Sequence, residues 1–263
     1  MTPARRNGGV RSLLGAGALL PLLLIACNTL KPTAIEAPKV AGATFVGNAA
    51  CVDCHQQYTR SFAASPHGRL HSDTLRQAGE TGCESCHGPA SRHVATGGLG
   101  PDKFIVNPGK DASACLKCHL QTAAEFRQPN HHFVTEGRLN CADCHDPHGR
   151  DARKPTGMLT HSRIAENCAD CHRVQARRFV FEHEALREGC STCHHPHGSI
   201  NQKLLLARDG NLCLKCHAQT QGAGGTLLIG NIDHSGRLAV GSCWAGGCHS
   251  AVHGSNVDHR LRF

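Results

Sequence analysis

A domain of short helices and long loops with negligible sheet, filled by covalently held cofactors instead of a side-chain core, is the fold class that three observations predict. The chain carries 17 cysteines in 263 residues. It has one Trp, one Tyr and two Met, too little bulk for ordinary side chains to build a core alone, and scaffolds of that kind depend on disulfides, metals or cofactors. From residue 51 onward a single element, Cys-x-x-Cys-His, recurs often enough to absorb nearly every cysteine.

The first 26 residues carry Arg5, Arg6 and Arg11 and then the apolar run Leu13 to Ile25. That is an export signal, and its apolar run is too short for a comfortable membrane span. Leu24-Ile25-Ala26-Cys27 has the form of a lipoprotein cleavage box, which would make Cys27 the lipidated first residue of the mature chain. Asn28 follows where an Asp would favour inner-membrane retention, so the outer membrane is the expected destination. Residues 27–48 lack periodicity and hold Lys31-Pro32 and Ala37-Pro38-Lys39, the composition of a flexible tether. Residues 49–263 are expected to form the functional domain.

The element begins at Cys51, Cys83, Cys115, Cys141, Cys168, Cys190 and Cys213, and its second cysteines are Cys54, Cys86, Cys118, Cys144, Cys171, Cys193 and Cys216. An eighth copy, Cys243-Trp244-Ala245-Gly246-Gly247-Cys248-His249, has four residues between its cysteines. The eight copies use sixteen cysteines, and Cys27 is the seventeenth. Two thiols about one helical turn apart can add to the two vinyl groups of a haem, and the next side chain then reaches the iron. The proximal ligands are therefore His55, His87, His119, His145, His172, His194, His217 and His249. Neither a zinc module nor a disulfide scaffold requires a histidine after the second cysteine. Motif starts stand 32, 32, 26, 27, 22, 23 and 30 residues apart. So little polypeptide per cofactor can only wrap a staggered haem chain, with adjacent rings close enough for electron tunnelling.

Of 21 histidines, thirteen remain after the proximal eight. Met158 is the one methionine after the signal, so bis-His ligation is expected for at least seven irons, which lowers their potentials and leaves no open position for substrate. The distal candidates are His67 in Ser65-Pro66-His67-Gly68, His93 after the second motif, His132 (with its neighbour His131) before the fourth, and His183 before the sixth. His148, His197 and His253, each followed by Gly, complete the set. These last three sit too near their own motifs to reach the far face of that haem, so they are expected to ligate neighbouring haems. His71, His131, His161, His195, His234 and His259 are left without a role at this stage.

Formal charge is +8, and removal of Arg5, Arg6 and Arg11 leaves +5. Eight haems would add about sixteen propionate charges, offset by about one positive charge per ferric iron. The basic surplus thus reads as propionate partners, and no basic stripe with interleaved aromatics points to nucleic acid.

The residues after 48 resemble the decahaem periplasmic cytochromes of the MtrA and DmsE group. The likeness is carried by Ser65-Pro66-His67, Cys83-Glu84-Ser85-Cys86-His87-Gly88-Pro89 with His93, His131-His132, both Pro-His-Gly segments, and Cys248-His249-Ser250-Ala251-Val252-His253-Gly254-Ser255-Asn256. The resemblance implies a haem wire inside an outer-membrane β-barrel porin. It would be fed by a periplasmic or inner-membrane quinol-linked cytochrome, and would empty into an outer-surface multihaem cytochrome or a terminal reductase. It implies an electron carrier, not an enzyme. This chain departs from the group in having eight motifs, with the missing pair expected between the sixth and seventh, and in its lipoprotein signal. Two rival readings stand beside the wire: a small-oxyanion reductase with one five-coordinate haem, and a subunit of an extracellular cytochrome filament.

Overall fold

Each Cys-x-x-Cys-His segment closes one turn and then stops, and this dictates the architecture. The backbone N–H of the motif histidine donates to the carbonyl of the first cysteine, at 3.0 Å for His55 to Cys51, 2.8 Å for His145 to Cys141 and 3.0 Å for His194 to Cys190. The computed structural model describes residues 37–73, 82–149, 168–238 and 241–263. Cys27, Met158 and His161 lie outside these residues, as does the side chain of His71.

Helices are accordingly brief: α1 (Ala49–Val52), α2 (Gln56–Ala64), α3 (Pro66–Asp73), α4 (Cys83–His87), α5 (Ser91–Ala95), α6 (Ser113–Leu116), α7 (Leu120–Glu125), α8 (Arg173–Ala176) and α9 (Gly210–Cys213). The fourth and sixth motifs are single 3-10 turns, Cys141–Asp143 and Cys190–Thr192. Asn140 and Asp143 form a capping box that fixes the first of these turns, with Ala142 N–H donating to Asn140 Oδ1 at 3.1 Å and Asn140 N–H to Asp143 Oδ2 at 2.7 Å. Helix α2 ends at Ser65 because the residue before a proline is driven out of the helical region. Pro66 then opens α3, and Ser65 Oγ accepts the Gly68 N–H at 2.9 Å, so one buried serine both stops a helix and caps the next.

Among the described residues, sheet is confined to two patches. Strands β1 (Phe181–Glu182) and β5 (Gly254–Ser255) pair antiparallel. Strands β2 (Gln219–Gln221), β3 (Leu227–Ile229) and β4 (Ile232–Asp233) form a meander whose last turn is Gly230-Asn231, both left-handed. That is the two-residue hairpin geometry that glycine and asparagine accept.

Among the described residues the side-chain core is as small as composition predicts: Ala112, Phe126 and Val134, with Leu116, Leu139 and Cys141 packed against them. One boundary moves. Residues 37–73 belong with the rest of the chain to a compact unit, Ala37–Phe263, and 37–48 are tied to it. Val46 and Gly47 N–H donate to Glu84 at 3.0 and 2.8 Å, and Arg92 Nη1 donates to Ala41 O at 2.8 Å. The tether expected to run to residue 48 is docked from Ala37 onward, because a buried carboxylate at Glu84 needs those backbone donors.

Candidate haem-binding sites

The cysteines lie in sequence order and alternate in which of them meet. The first cysteines of consecutive motifs interact as Cys51 with Cys83, Cys115 with Cys141, Cys168 with Cys190 and Cys213 with Cys243. The second cysteines then bring the next junctions together: Cys118 with Cys86, Cys144 with Cys171, and Cys193 with Cys216. Seven junctions therefore join eight motifs in a row, alternating between the two attachment points. In the bare chain, the hydrogen bond to Cys141 and burial hold the Cys115 thiol up, while the same bond lowers Cys141 to about 7. Burial and the nearby Cys83 push Cys51 up to about 11. Sulfurs converted to thioethers would no longer titrate.

The wider spacing of the eighth motif is absorbed locally. Its extra residues form a 3-10 turn, Ala245–Gly247, and His249 N–H still donates to Cys243 O at 3.0 Å, the same closure as in the shorter copies. His249 Nδ1 donates to Arg260 O at 2.7 Å, as His87 Nδ1 does to Val106 O at 2.9 Å and His194 Nδ1 to Lys203 O at 2.7 Å. In each case Nε2 is left as the available lone pair.

Each of the seven candidate distal histidines faces a motif histidine. Ring centres stand 6.1 Å apart for His55 and His93, 6.0 Å for His87 and His148, and 6.0 Å for His119 and His67. They stand 6.0 Å apart for His145 and His197, 6.1 Å for His172 and His132, 6.2 Å for His194 and His253, and 6.2 Å for His217 and His183. Plane angles meanwhile range from 11° to 89°. A nearly constant separation over this range of tilts is what rings sharing a central atom would keep. Two metal–nitrogen bonds of about 2 Å, with each ring centre about 1 Å behind its nitrogen, give a separation of about 6 Å. The donor set thus fits an iron between each pair.

The facing rings also carry the outer hydrogen bonds that ligating imidazoles need. His67, His93, His132 and His183 donate from Nδ1 to the carbonyls of Pro147, Lys103, Pro196 and Val252 at 3.2, 2.8, 2.6 and 3.0 Å. Burial lowers the pKa of His148, His197 and His253, which keeps them neutral and able to donate a lone pair. Close approach explains the glycine after the distal histidine: a Cβ on Gly68 would lie 1.9 Å from Phe62 O, and one on Gly198 1.9 Å from Glu125 O.

The remaining histidines behave differently. His131 donates from Nδ1 to Gln128 O at 2.6 Å and meets Glu136 at 2.9 Å, so of the neighbouring pair it is His132 that faces a motif ring. His259 packs on Phe181 and lies 3.5 Å from Asp258. His234 donates to Ile232 O at 2.8 Å, and His195 lies 3.7 Å from Glu125. Two acidic residues that sequence reasoning passed over belong to the site: Glu84, inside the second motif, and Glu125, at the end of α7. Glu84 could have been noticed for its place in a motif, but nothing local in the sequence marks Glu125.

A doubled Cys-x-x-Cys-His family model matches residues 131–177 and 183–222. Over 218 residues the chain is 32% identical to the multihaem cytochrome MtrA of Shewanella baltica, covering 80% of this chain and 58% of that protein. The chain is a multihaem c-type cytochrome. Over 253 residues it is also 25% identical to the C-type polyhaem cytochrome OmcB of Geobacter sulfurreducens, covering 86% of the cytochrome described here and 32% of OmcB. The cytochrome therefore spans little more than half the length of the first relative and about a third of the second. Haem c is its cofactor, and its fold class is that of short helices and loops. Among the described residues no helix is long and apolar enough to cross a membrane.

Proposed function

We propose that this cytochrome is a one-electron wire of eight haems in sequence order, each iron passing between ferric and ferrous states without binding a substrate. The sixteen motif cysteines hold the rings, the eight motif histidines supply the proximal ligands, and His67, His93, His132, His148, His183, His197 and His253 supply distal ligands. The observation that carries this reading is crosswise pairing between repeats. The histidine after the first, third or fifth motif faces the ring two motifs onward, and the histidine after the fourth, sixth or eighth faces the ring two motifs back. At the start of the row, His93 after the second motif turns to His55 of the first. Each of the seven haems so paired would then be held by two separate segments, with an imidazole nitrogen from each. Filled axial positions favour shuttling single electrons over converting a substrate.

The likeness to its relatives and the lipobox at Cys27 support one route for the electrons. We place the domain on the periplasmic side of the outer membrane, tethered through lipidated Cys27. By the likeness to MtrA, it would accept electrons from a periplasmic or inner-membrane quinol-linked cytochrome. It would pass them to an outer-surface multihaem cytochrome through a β-barrel porin, or to a terminal reductase. The deciding experiment is haem counting by intact mass with low-temperature paramagnetic resonance of the oxidised protein. Eight haems with seven or more low-spin bis-His centres are expected. Five or fewer low-spin centres in fully loaded protein would overturn the wire, and a stoichiometric high-spin centre that binds nitrite would favour a reductase.

A further inference from the structure

Distal rings whose Nδ1 partners are backbone carbonyls have neutral acceptors, and His197 departs from that pattern. Its Nδ1 lies 3.0 Å from Glu125 Oε2, and the two side chains retain only 23% and 20% of their exposure. The carboxylate is held in place on its other oxygen, where Gln121 Nε2 donates to Oε1 at 3.1 Å along α7. His195 Nε2 stands 3.7 Å from that same oxygen. The carbonyl of Glu125 is pressed against Gly198, so the backbone as well as the side chain of this residue fixes the Pro-His-Gly segment. Helix α7 begins directly after His119, so Glu125 connects the third motif to the ring that faces His145 of the fourth.

We propose that Glu125 is a positioning residue that lowers the potential of the fourth haem. This rests on the reading above that His145 and His197 ligate one iron. A carboxylate accepting the Nδ1 proton draws that proton away from the ring and gives the imidazole partial anionic character. The ring becomes a stronger donor at Nε2 and stabilises ferric over ferrous iron. A carbonyl accepts the same proton with far less pull. Partial burial strengthens the effect, because an anionic acceptor in a region of lowered dielectric is screened less by water. Glu125 would thereby lower the potential of the haem held by His145 and His197 relative to the same site with a backbone carbonyl as acceptor.

The test compares the wild-type holoprotein with E125Q by optical redox titration, with haem mass and low-spin paramagnetic resonance recorded on the same samples. Glutamine keeps the size and an acceptor oxygen but removes the charge. The expected result is that one one-electron component moves to more positive potential, with haem number and low-spin intensity unchanged. E125D, which keeps the charge but retracts it, should move the same component less, and it serves as the second variant if E125Q does not mature. Superimposable titrations of wild type and E125Q with full low-spin intensity overturn the role of Glu125 while leaving the ligand pairing intact. An H197A holoprotein that retains every low-spin centre overturns the pairing itself, and the proposal with it. Glu125, His195 and His197 also bring ligand atoms within 4.8 Å of one another. A chelator-resistant, stoichiometric non-haem metal lost in E125Q would therefore assign the trio to metal binding and overturn the proposal.

Discussion

His148 stands over His87 with ring centres 6.0 Å apart and planes 11° from parallel, though the two belong to different repeats. Asp146 fixes the approach by accepting the His148 backbone N–H at 2.9 Å, and the Tyr58 ring lies 5.0 Å away. A ligand delivered from two motifs away would make the second haem a cross-link as well as a redox centre. Removal of one distal ring should consequently be felt at one iron and in the fold around it.

The H148A variant should keep all its haems, because its thioether bonds are untouched, yet lose the strong-field sixth ligand on the second iron. Paramagnetic resonance is expected to show one haem's worth of high-spin signal, and the titration one component displaced to more positive potential. H145A should act at the fourth iron and interrupt through-protein electron transfer. Either variant with an unchanged low-spin spectrum and unchanged potentials contradicts the corresponding pairing.

Ring-plane angles divide the pairs into classes. The pairs His55–His93, His87–His148, His183–His217 and His194–His253 lie within 20° of parallel, whereas His67–His119 is at 89° and His132–His172 at 66°. Parallel imidazoles both push on the same iron d orbital and split the π pair widely. Crossed imidazoles push on both orbitals and leave the pair nearly degenerate, which raises the g anisotropy. The oxidised spectrum should hold a rhombic majority of about four haems and a highly anisotropic minority of about two. H67A should remove intensity from the minority and H253A from the majority, and the reverse assignment would contradict the geometry.

What the sequence makes legible here is the covalent part. Each Cys-x-x-Cys-His segment points by spacing alone to a haem and a proximal ligand and closes a single turn, and sparse apolar bulk predicts the small core around Phe126. Histidines followed by glycine stand out as candidates, and close neighbours account for the glycine: backbone at Gly68 and Gly198, the Ser61 and Phe179 side chains at Gly149 and Gly254. Which ring each one faces is not written locally: nothing near His183 says that it meets His217, and His131 and His132 differ only in the direction each side chain takes. The same holds for residues 37–48, whose small residues and prolines read as a tether until Glu84 is seen to bind their backbone.

Glu84 itself is almost wholly buried, at 1% exposure, and its carboxylate accepts N–H groups from Val46, Gly47 and Ala90 at 3.0, 2.8 and 2.9 Å. Hydrogen bonds to a charged acceptor contribute about 1.5–3 kcal/mol each, and an amide cannot accept on both sides. E84Q should therefore destabilise the loaded domain by about 2–3 kcal/mol. It should also open residues 37–47 to limited proteolysis while leaving haem number unchanged. Equal unfolding midpoints and equal cleavage rates in E84Q and wild type would show that this carboxylate holds nothing in place.

The far end of the row makes the sharpest test of the crosswise rule. At the beginning, the ring of His55 faces that of His93, the histidine that follows the second motif. Reversal of that pattern at the other end gives His249 of the eighth motif the histidine that follows the seventh, and His234 is the only one between His217 and Cys243. His234 donates from Nδ1 to Ile232 O, so its Nε2 is the free nitrogen, as in the paired rings. H234A should convert one haem to high spin with the mass of eight haems retained. C243S/C248S should reduce the count to seven and leave the other centres low-spin. An H259A variant that produces the high-spin signal instead, with H234A silent, would transfer the ligand to the carboxyl terminus and break the symmetry between the two ends.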